Sequence, residues 1–393
     1  MVYITVNEND GLLTIGLSGH IDSNNADKVE NEIVQARQGK ESMNVIIDAQ
    51  DLEYISSAGL RIILRLKKDC PDLEVINVNS EVYEIFDITG FSEMMTVKKA
   101  YRVIDVEGCE VIGQGANGKV YRINTDTVVK EYLNPDSLPD IQRERELART
   151  ALILGIPTAI PYDVVKVGKG YGSVFELLNA TSFAKLIIKD PNKIDDVIKM
   201  SVDLLKKIHS TEVKPGAMPE MKDVALDWAA FLKDYLPEEY ANKLYRLVDE
   251  VPQDFHMLHG DYHIKNVMLQ NDEVLLIDMD TLCVGHPVFE FASIFNAYQG
   301  YSELDHKNIE NFLGITFEQG KHIWDDTLRL YFDNKTPEEI EEIANKAKIL
   351  GYVRNMRRTI RRNGLEDEEG RAKIENCKNR IIELLDKTDS LTF

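Results

Sequence analysis

The segment Leu258-His259-Gly260-Asp261-Tyr262-His263-Ile264-Lys265-Asn266-Val267-Met268 is followed by Val274-Leu275-Leu276-Ile277-Asp278-Met279-Asp280. Two apolar runs separated by a turn over Gln270–Glu273 read as a β-hairpin. The hairpin sets Asn266 at the entrance of one strand and Asp278 at the exit of the other, so their side-chain oxygens can share one hard cation. Asp261 stands five residues before Asn266 and lies at the mouth of the same cleft, where a carboxylate can accept the proton of an attacking hydroxyl. Buried carboxylates need compensation, so three oxygen-bearing side chains at this spacing read as a chemical site rather than as packing. His259 and His263 read as residues that shape the loop.

A second cluster begins at Glu110-Val-Ile-Gly113-Gln-Gly115-Ala-Asn-Gly118-Lys119-Val120-Tyr121-Arg122-Ile123. As a Gly-x4-Gly-Lys P-loop it fails, because Val120 stands where Ser or Thr must hold magnesium. A dinucleotide fingerprint needs a helix after the glycines, whereas the residues from Val120 alternate in strand fashion. A kinase-type glycine loop fits: GxGxxGxV between two strands, with Val128-Val129-Lys130 on the third. Gln142 to Leu154 reads as a helix ended by Gly155-Ile156-Pro157, and Glu144, with Glu146 in reserve, is placed to fix Lys130 by an ion pair toward nucleotide phosphates. Gly172–Leu177 reads as a strand, with Glu176 and Leu178 in the hinge whose backbone would meet adenine.

These residues resemble the aminoglycoside phosphotransferase and choline kinase-like superfamily, whose hallmark is HGD-x4-N followed by Ile-Asp. The resemblance covers most of residues 105–300 and runs on through Gly285-His286-Pro287-Val-Phe-Glu290-Phe-Ala292. His286 replaces a usual acid and Glu290 a usual Asp, which bears on substrate and support contacts. The resemblance implies an ATP- and Mg2+-dependent kinase of bilobal α+β fold: Gly113, Gly115, Gly118, Lys130, Glu144, Glu176 and Leu178 at the nucleotide, Asn266 and Asp278 at the metal, and Asp261 as catalytic base. Only six residues separate Asp278 from Gly285, too few for the phosphorylatable activation loop of protein kinases. The implied acceptor is therefore a small-molecule hydroxyl.

The elements that position this site occupy 101–178, the expected N-lobe, and 179–393, the C-lobe with a helical substrate subdomain. In the latter, Trp228, Asp227, Trp324, Asp325 and Asp326 read either as core and solvated residues or as an aromatic and acidic cage for an amine. Arg354, Arg357, Arg358, Arg361 and Arg362 recur at helical spacing as one basic stripe. The stripe is either a solvated face paired with acids or a surface for an anionic substrate or protein partner.

Residues 1–100 form a separate expected domain. Tyr3–Val6 and Leu12–Leu17 flank an Asn9-Asp10-Gly11 turn; Ser23 precedes a helix through Ala36; Asn44–Asp48, Leu73–Val78 and Met95–Val97 read as strands, Ala58–Lys68 and Val82–Ile88 as helices. This α/β order resembles the STAS fold of anti-sigma-factor antagonists, carried by Gly19-His-Ile-Asp22-Ser-Asn-Asn-Ala26 and Asp51-Leu-Glu-Tyr-Ile-Ser56-Ser57-Ala58-Gly59-Leu60. The resemblance implies a regulatory or docking module with a protein partner, and Ser57 as the phosphorylated switch; a helix-capping role for Ser56 or Ser57 is the other reading. Ser56 departs from the acidic residue usual there.

The 393 residues favour two or three folding units, and 44% hydrophobic with 29% charged residues is an ordinary globular composition. The net charge of −21 is shared: residues 1–100 hold 17 acids against 9 bases and the remainder 50 against 37, so neither part is built for nonspecific nucleic-acid binding. Cys70, Cys109, Cys283 and Cys377 form no CxxC pair and read as reduced packing residues. With no signal peptide and no apolar run near ~18 residues, a cytoplasmic protein is expected, with no membrane partner. Two further functions stay open: a nucleotide-sensing adaptor, and a protein kinase whose substrate is a STAS serine.

Overall fold

The structure is a computed structural model, and it describes all residues except Met1, Val2, Asp10, Ala116 and Asn117. The centre of the expected Asn9–Gly11 turn and two positions of the glycine loop thus lie outside the described residues. The chain divides into two compact units, one of residues 1–105 with 164–169, the other of 106–163 with 170–393.

In the first unit, β1 (Tyr3–Asn9) and β2 (Leu12–Ile21) pair antiparallel, Asn9 opposite Leu12. They are followed by α1 (Ala26–Arg37), β3 (Asn44–Ile55), α2 (Ser57–Asp69), β4 (Glu74–Val78), α3 (Ser80–Ile88), the short α4 (Phe91–Met94) and β5 (Thr96–Lys99). The sheet order is β1-β2-β3-β4-β5, parallel from β2 onward. Leu13, Ile15 and Leu17 of β2 are buried while the residues between them are half-buried, the period-2 pattern of a sheet with one covered face. Ile33, Ile63, Leu66, Val82 and Phe86 join the same core. Strand β3 runs seven residues past the expected Asp48, because Ala49, Leu52 and Ile55 remain core residues and its pairing with β2 continues through two register shifts. A further strand, β6 (Val103–Ile104), pairs in parallel with Lys166 and Val167 of β10 (Pro161–Val167).

In the second unit, β7 (Glu110–Gln114), β8 (Gly118–Arg122), β9 (Thr127–Tyr132) and β11 (Gly170–Glu176) form an antiparallel ladder in the order β7-β8-β9-β11. Helix α5 (Leu138–Ile153) follows β9 and buries Ile141, Leu147 and Ala151. A Cβ at Gly118 would meet the Glu131 carbonyl at 2.0 Å, so only glycine lets β8 cross β9 this closely.

The rest of this unit is mainly helical. Its elements are β12 (Thr181–Ser182), α6 (Phe183–Lys189), α7 (Ile194–His209), α8 (Met221–Phe231) and α9 (Glu238–Asp249), then β13 (Met257–Leu258), the hairpin β14 (Val267–Gln270) and β15 (Glu273–Leu276), and β16 (Cys283–Val284). Helices α10 (Val288–Phe295), α11 (Lys307–Leu313), α12 (Phe317–Tyr331), α13 (Pro337–Arg361) and α14 (Glu368–Leu385) close the chain. Asn271 and Asp272 both adopt positive φ, as a two-residue hairpin turn requires. Among the described residues no helix is long and apolar enough to cross a membrane.

Candidate active site

Strand β9 alternates, with Val129 fully buried and Lys130 turned into a cleft of about 1320 Å³. Helix α5 presents Glu144 to the same place, its side chain only 4% exposed. Lys130 Nζ donates to the two Glu144 oxygens at 2.9 and 3.2 Å and to Asp278 Oδ1 at 3.0 Å. The Tyr132 hydroxyl also donates to Glu144. Burial works against the Lys130 ammonium, but the carboxylates of Glu144 and then Asp278 outweigh it and hold the group above its ordinary range. Glu146 points elsewhere, exposed and 3.5 Å from Arg145.

The loop after β13 is built from its backbone outward. Gly260 has φ +80° and a Cβ there would meet the Thr281 carbonyl at 2.5 Å, so the turn into Asp261 needs glycine. The fully buried Glu290 on α10 accepts from the backbone N–H of His259 at 2.5 Å and of Gly260 at 3.1 Å. Burial would raise the Glu290 carboxyl, but the His209 ring 3.8 Å away, together with His259 and the Gly260 N–H, holds it low. His259 Nε2 meets the Ile277 carbonyl at 3.2 Å and its Nδ1 accepts from the Asp261 N–H at 3.3 Å. From α13, Arg354 Nη1 donates to the Gly260 carbonyl at 3.0 Å and contacts Ser293 Oγ at 2.9 Å.

The Asp261 carboxylate is 42% exposed and faces the cleft. Its Oδ2 lies 3.5 Å from His263 Nε2 and its Oδ1 3.9 Å from Arg354 Nη2. Burial pushes this carboxyl upward, yet the close His263 ring and the charges of Arg354 and His259 outweigh it and hold it well below the usual carboxylate range. The group is thus ionised, with carboxylate oxygens that can accept a hydrogen bond from a hydroxyl in the cleft.

Asn266 donates its amide N–H to the Asp261 carbonyl at 3.1 Å, which leaves Oδ1 as its acceptor toward the cleft. Asp278 adopts left-handed φ +65° just beyond β15 and, like Asp280, lines the same cleft. Asp280 is pushed up to about 7, first by burial and then by the charge of Asp278. Asn266, Asp278 and Asp280 make an all-oxygen donor set with crowded negative charge, which fits a hard divalent cation.

Gly113, Gly115, Gly118, Glu176 and Leu178 all line this cleft. The Leu177 N–H donates to the Asp126 carbonyl at 2.7 Å and the Glu176 N–H to the Ile160 carbonyl at 3.0 Å, while Leu178 has no backbone partner among the described residues. Ser57 belongs to the other unit: it is exposed on the first turn of α2, and the cap is Ser56, whose Oγ accepts from the Gly59 N–H at 3.5 Å.

The acidic and aromatic cage does not form. Trp228 lines the cleft beneath Arg354, and Asp227 is paired with Arg357 at 2.7 Å. Trp324, 1% exposed, packs on Phe295 in the core, while Asp326 pairs with Arg329 at 3.0 Å outside the cleft. Sequence reasoning also missed Asp280, although Asp278-Met-Asp280 was visible, and Tyr132 and Ser293; it read Arg354 as part of the basic stripe but not as an anchor of the Gly260 loop, to which no local spacing connects it.

A glycine-lined sheet, a lysine–glutamate pair and an aspartate loop facing an oxygen donor set define a kinase-like phosphotransferase. The phosphotransferase enzyme family model matches residues 108–327, and the chain belongs to that family; the STAS domain model matches residues 3–104. The STAS part is 35% identical over 98 residues to a candidate anti-sigma factor antagonist, BtrV, of Bordetella bronchiseptica, covering 24% of this chain and 84% of the relative. It is 24% identical over 98 residues to the anti-sigma F factor antagonist of Paenibacillus polymyxa, with the same coverage of each chain. A thermostable mutant of aminoglycoside phosphotransferase APH(4)-Ia superposes with TM-score 0.50 at 13% identity, covering 71% of this chain and 94% of that one. ADP-bound APH(2'')-Ib does so with TM-score 0.50 at 16% identity, covering 77% and 98%. These likenesses establish a shared fold.

Proposed function

We propose that the protein transfers the γ-phosphoryl group of ATP to a hydroxyl of a small molecule. The observation that carries this reading is the ionised, cleft-facing Asp261 on the same cleft as the Lys130–Glu144 pair and the Asn266–Asp278 donor set. Lys130, fixed by Glu144, serves the α- and β-phosphates; the glycines of β7 and β8 cover the phosphates; Glu176 and Leu178 offer backbone groups to adenine. Asn266 and Asp278 would hold Mg2+, which when bound neutralises phosphate charge. Asp261 orients the acceptor hydroxyl and takes its proton as the new oxygen–phosphorus bond forms, while the bond from the γ-phosphorus to the bridging oxygen breaks and ADP leaves with that electron pair.

The STAS part serves as a regulatory or docking module for a protein partner. Ser57 is its modification site: exposed on the first turn of α2 and free of the capping role, it would place phosphate charge at a helix N-terminus.

Calorimetric titration with ATP, with and without Mg2+, tests the nucleotide half of the reading. Wild type and Asp261→Asn should both bind in a Mg2+-dependent manner, and the variant should lose turnover by about a hundredfold or more. Equal loss of nucleotide affinity in Asp261→Asn would make Asp261 a structural residue.

A further inference from the structure

We infer that the acceptor carries an anionic group, a carboxylate or a phosphate, beside the hydroxyl that is phosphorylated. This rests on the proposed phosphotransfer reading and specifies its substrate class. In a chain of net charge −21, the end of the cleft beyond Asp261 is basic. Arg354, Arg358 and Arg362, at the i, i+4 and i+8 positions of α13 and its C-cap, all line it, so their Cα atoms climb away from the Asp261 loop in steps of ~6 Å. Lys265 lines it as well.

The partners of these cations separate structural from available charge. Arg354 is committed to the Gly260 carbonyl and Ser293, and Arg357 to Asp227. Arg358 lies over the Tyr301 ring, 4.9 Å from its centroid, and Lys265 over Phe312 at 5.2 Å. Among the described residues, neither these two nor Arg362 has a carboxylate within ion-pair distance. The acids at this end are already engaged: Glu369 pairs with Lys373 at 2.6 Å, and Asp367 caps α14 through the Gly370 N–H at 2.6 Å.

A polycationic or amine-bearing acceptor would meet unpaired like charge here, which is repulsive in a partly desolvated cleft. An acceptor anion would instead find a guanidinium that lies over an aromatic ring and has no carboxylate partner among the described residues, able to offer two parallel hydrogen bonds. The spacing sets the reach: an anion held at Arg358 lies about one helical turn from the arginine that anchors the Asp261 loop, so the reactive hydroxyl and the anion belong to one compact molecule.

The test uses the full chain with Mg2+ and ADP present, and four probes of one carbon skeleton: glycerol 3-phosphate, glycerate, glycerol and 3-amino-1,2-propanediol. Binding is measured by calorimetry, so it does not depend on turnover. Glycerol 3-phosphate or glycerate should bind at least about tenfold tighter than glycerol and than the aminodiol, and the stronger of the two anions tells phosphate from carboxylate recognition. Arg358→Gln and Arg362→Gln should each weaken that binding about tenfold to a hundredfold. Arg361→Gln, on the same helix but off the cleft lining, should leave it unchanged. Equal or tighter binding of glycerol or the aminodiol, or no saturable binding of either anion, overturns the inference. Those outcomes leave nucleotide binding intact, whereas absence of Mg2+-dependent nucleotide binding defeats the phosphotransfer reading itself.

Discussion

Removing Glu144 tests whether the lysine is held for chemistry by the pair that α5 supplies. Lys130 Nζ sits 2.9 and 3.2 Å from the Glu144 oxygens and 3.0 Å from Asp278 Oδ1, and the Tyr132 hydroxyl donates to Glu144 as well. In Glu144→Ala the ammonium keeps only Asp278, and the tyrosine loses its acceptor. Breaking a buried ion pair from one side costs ~3–5 kcal/mol. Because Lys130 retains Asp278, the low end applies, about 3 kcal/mol, or a fall of roughly 5 °C in Tm for a unit of about 280 residues. Glu144→Gln keeps the shape and an acceptor, so only the charge-assisted part is lost, about 1.5 kcal/mol. Lys130 would also lean on Asp278, one of the proposed Mg2+ ligands, so kcat/KM for ATP should fall about tenfold in Glu144→Gln and toward a hundredfold in Glu144→Ala. Differential scanning calorimetry together with ATP-saturation kinetics gives both numbers. Two variants that melt and turn over like wild type would refute the buried-pair argument.

Asp278→Ala should weaken Mg2+-dependent nucleotide binding by about a hundredfold, and unchanged turnover in that variant would remove Asp278 from the metal site. For His263→Gln the sign follows from the depressed Asp261 carboxyl: burial pushes it up and His263 pulls it down, so the carboxylate form exists above a low folded pKa. Losing His263 raises that pKa, and the acidic limb of the kcat/KM profile should move to higher pH; a limb that stays put would contradict the assignment. Gly118→Ala drives a Cβ to within 2.0 Å of the Glu131 carbonyl and should cost about 1–3 kcal/mol, read as a lowered melting temperature.

The parts of the site legible in the sequence were those set by local spacing. Asp261, Asn266 and Asp278 fall on one loop and one hairpin, and Lys130 was placed by the strand pattern after the glycines. Glu144 rather than Glu146 faces inward because two residues along a helix turn a side chain to another face. What stayed hidden depends on contacts across long chain separations. Arg354 anchors Gly260 from 94 residues away, and Glu290 holds the loop's N–H groups from about 30. Of the two readings of the aromatic and acidic residues, the cage groups them by chemistry alone and does not form: Trp324 belongs to the core, as the other reading has it, whereas Trp228 supports an arginine. In the first unit, strand β3 outran its expected end because Leu52 and Ile55 continue the buried pattern past Asp48 and Asp51.

The most direct measurement follows the phosphorus. Purified full-length protein is incubated with Mg2+, γ-labelled ATP and a fractionated small-molecule extract, and the label is traced by 31P NMR and mass spectrometry. Phosphotransfer to a hydroxyl predicts a new phosphate monoester of low molecular mass formed one for one with ADP, absent without Mg2+ and absent in Asp261→Asn. Label that ends only on protein serine, or ATP that is bound but never cleaved, would contradict the account.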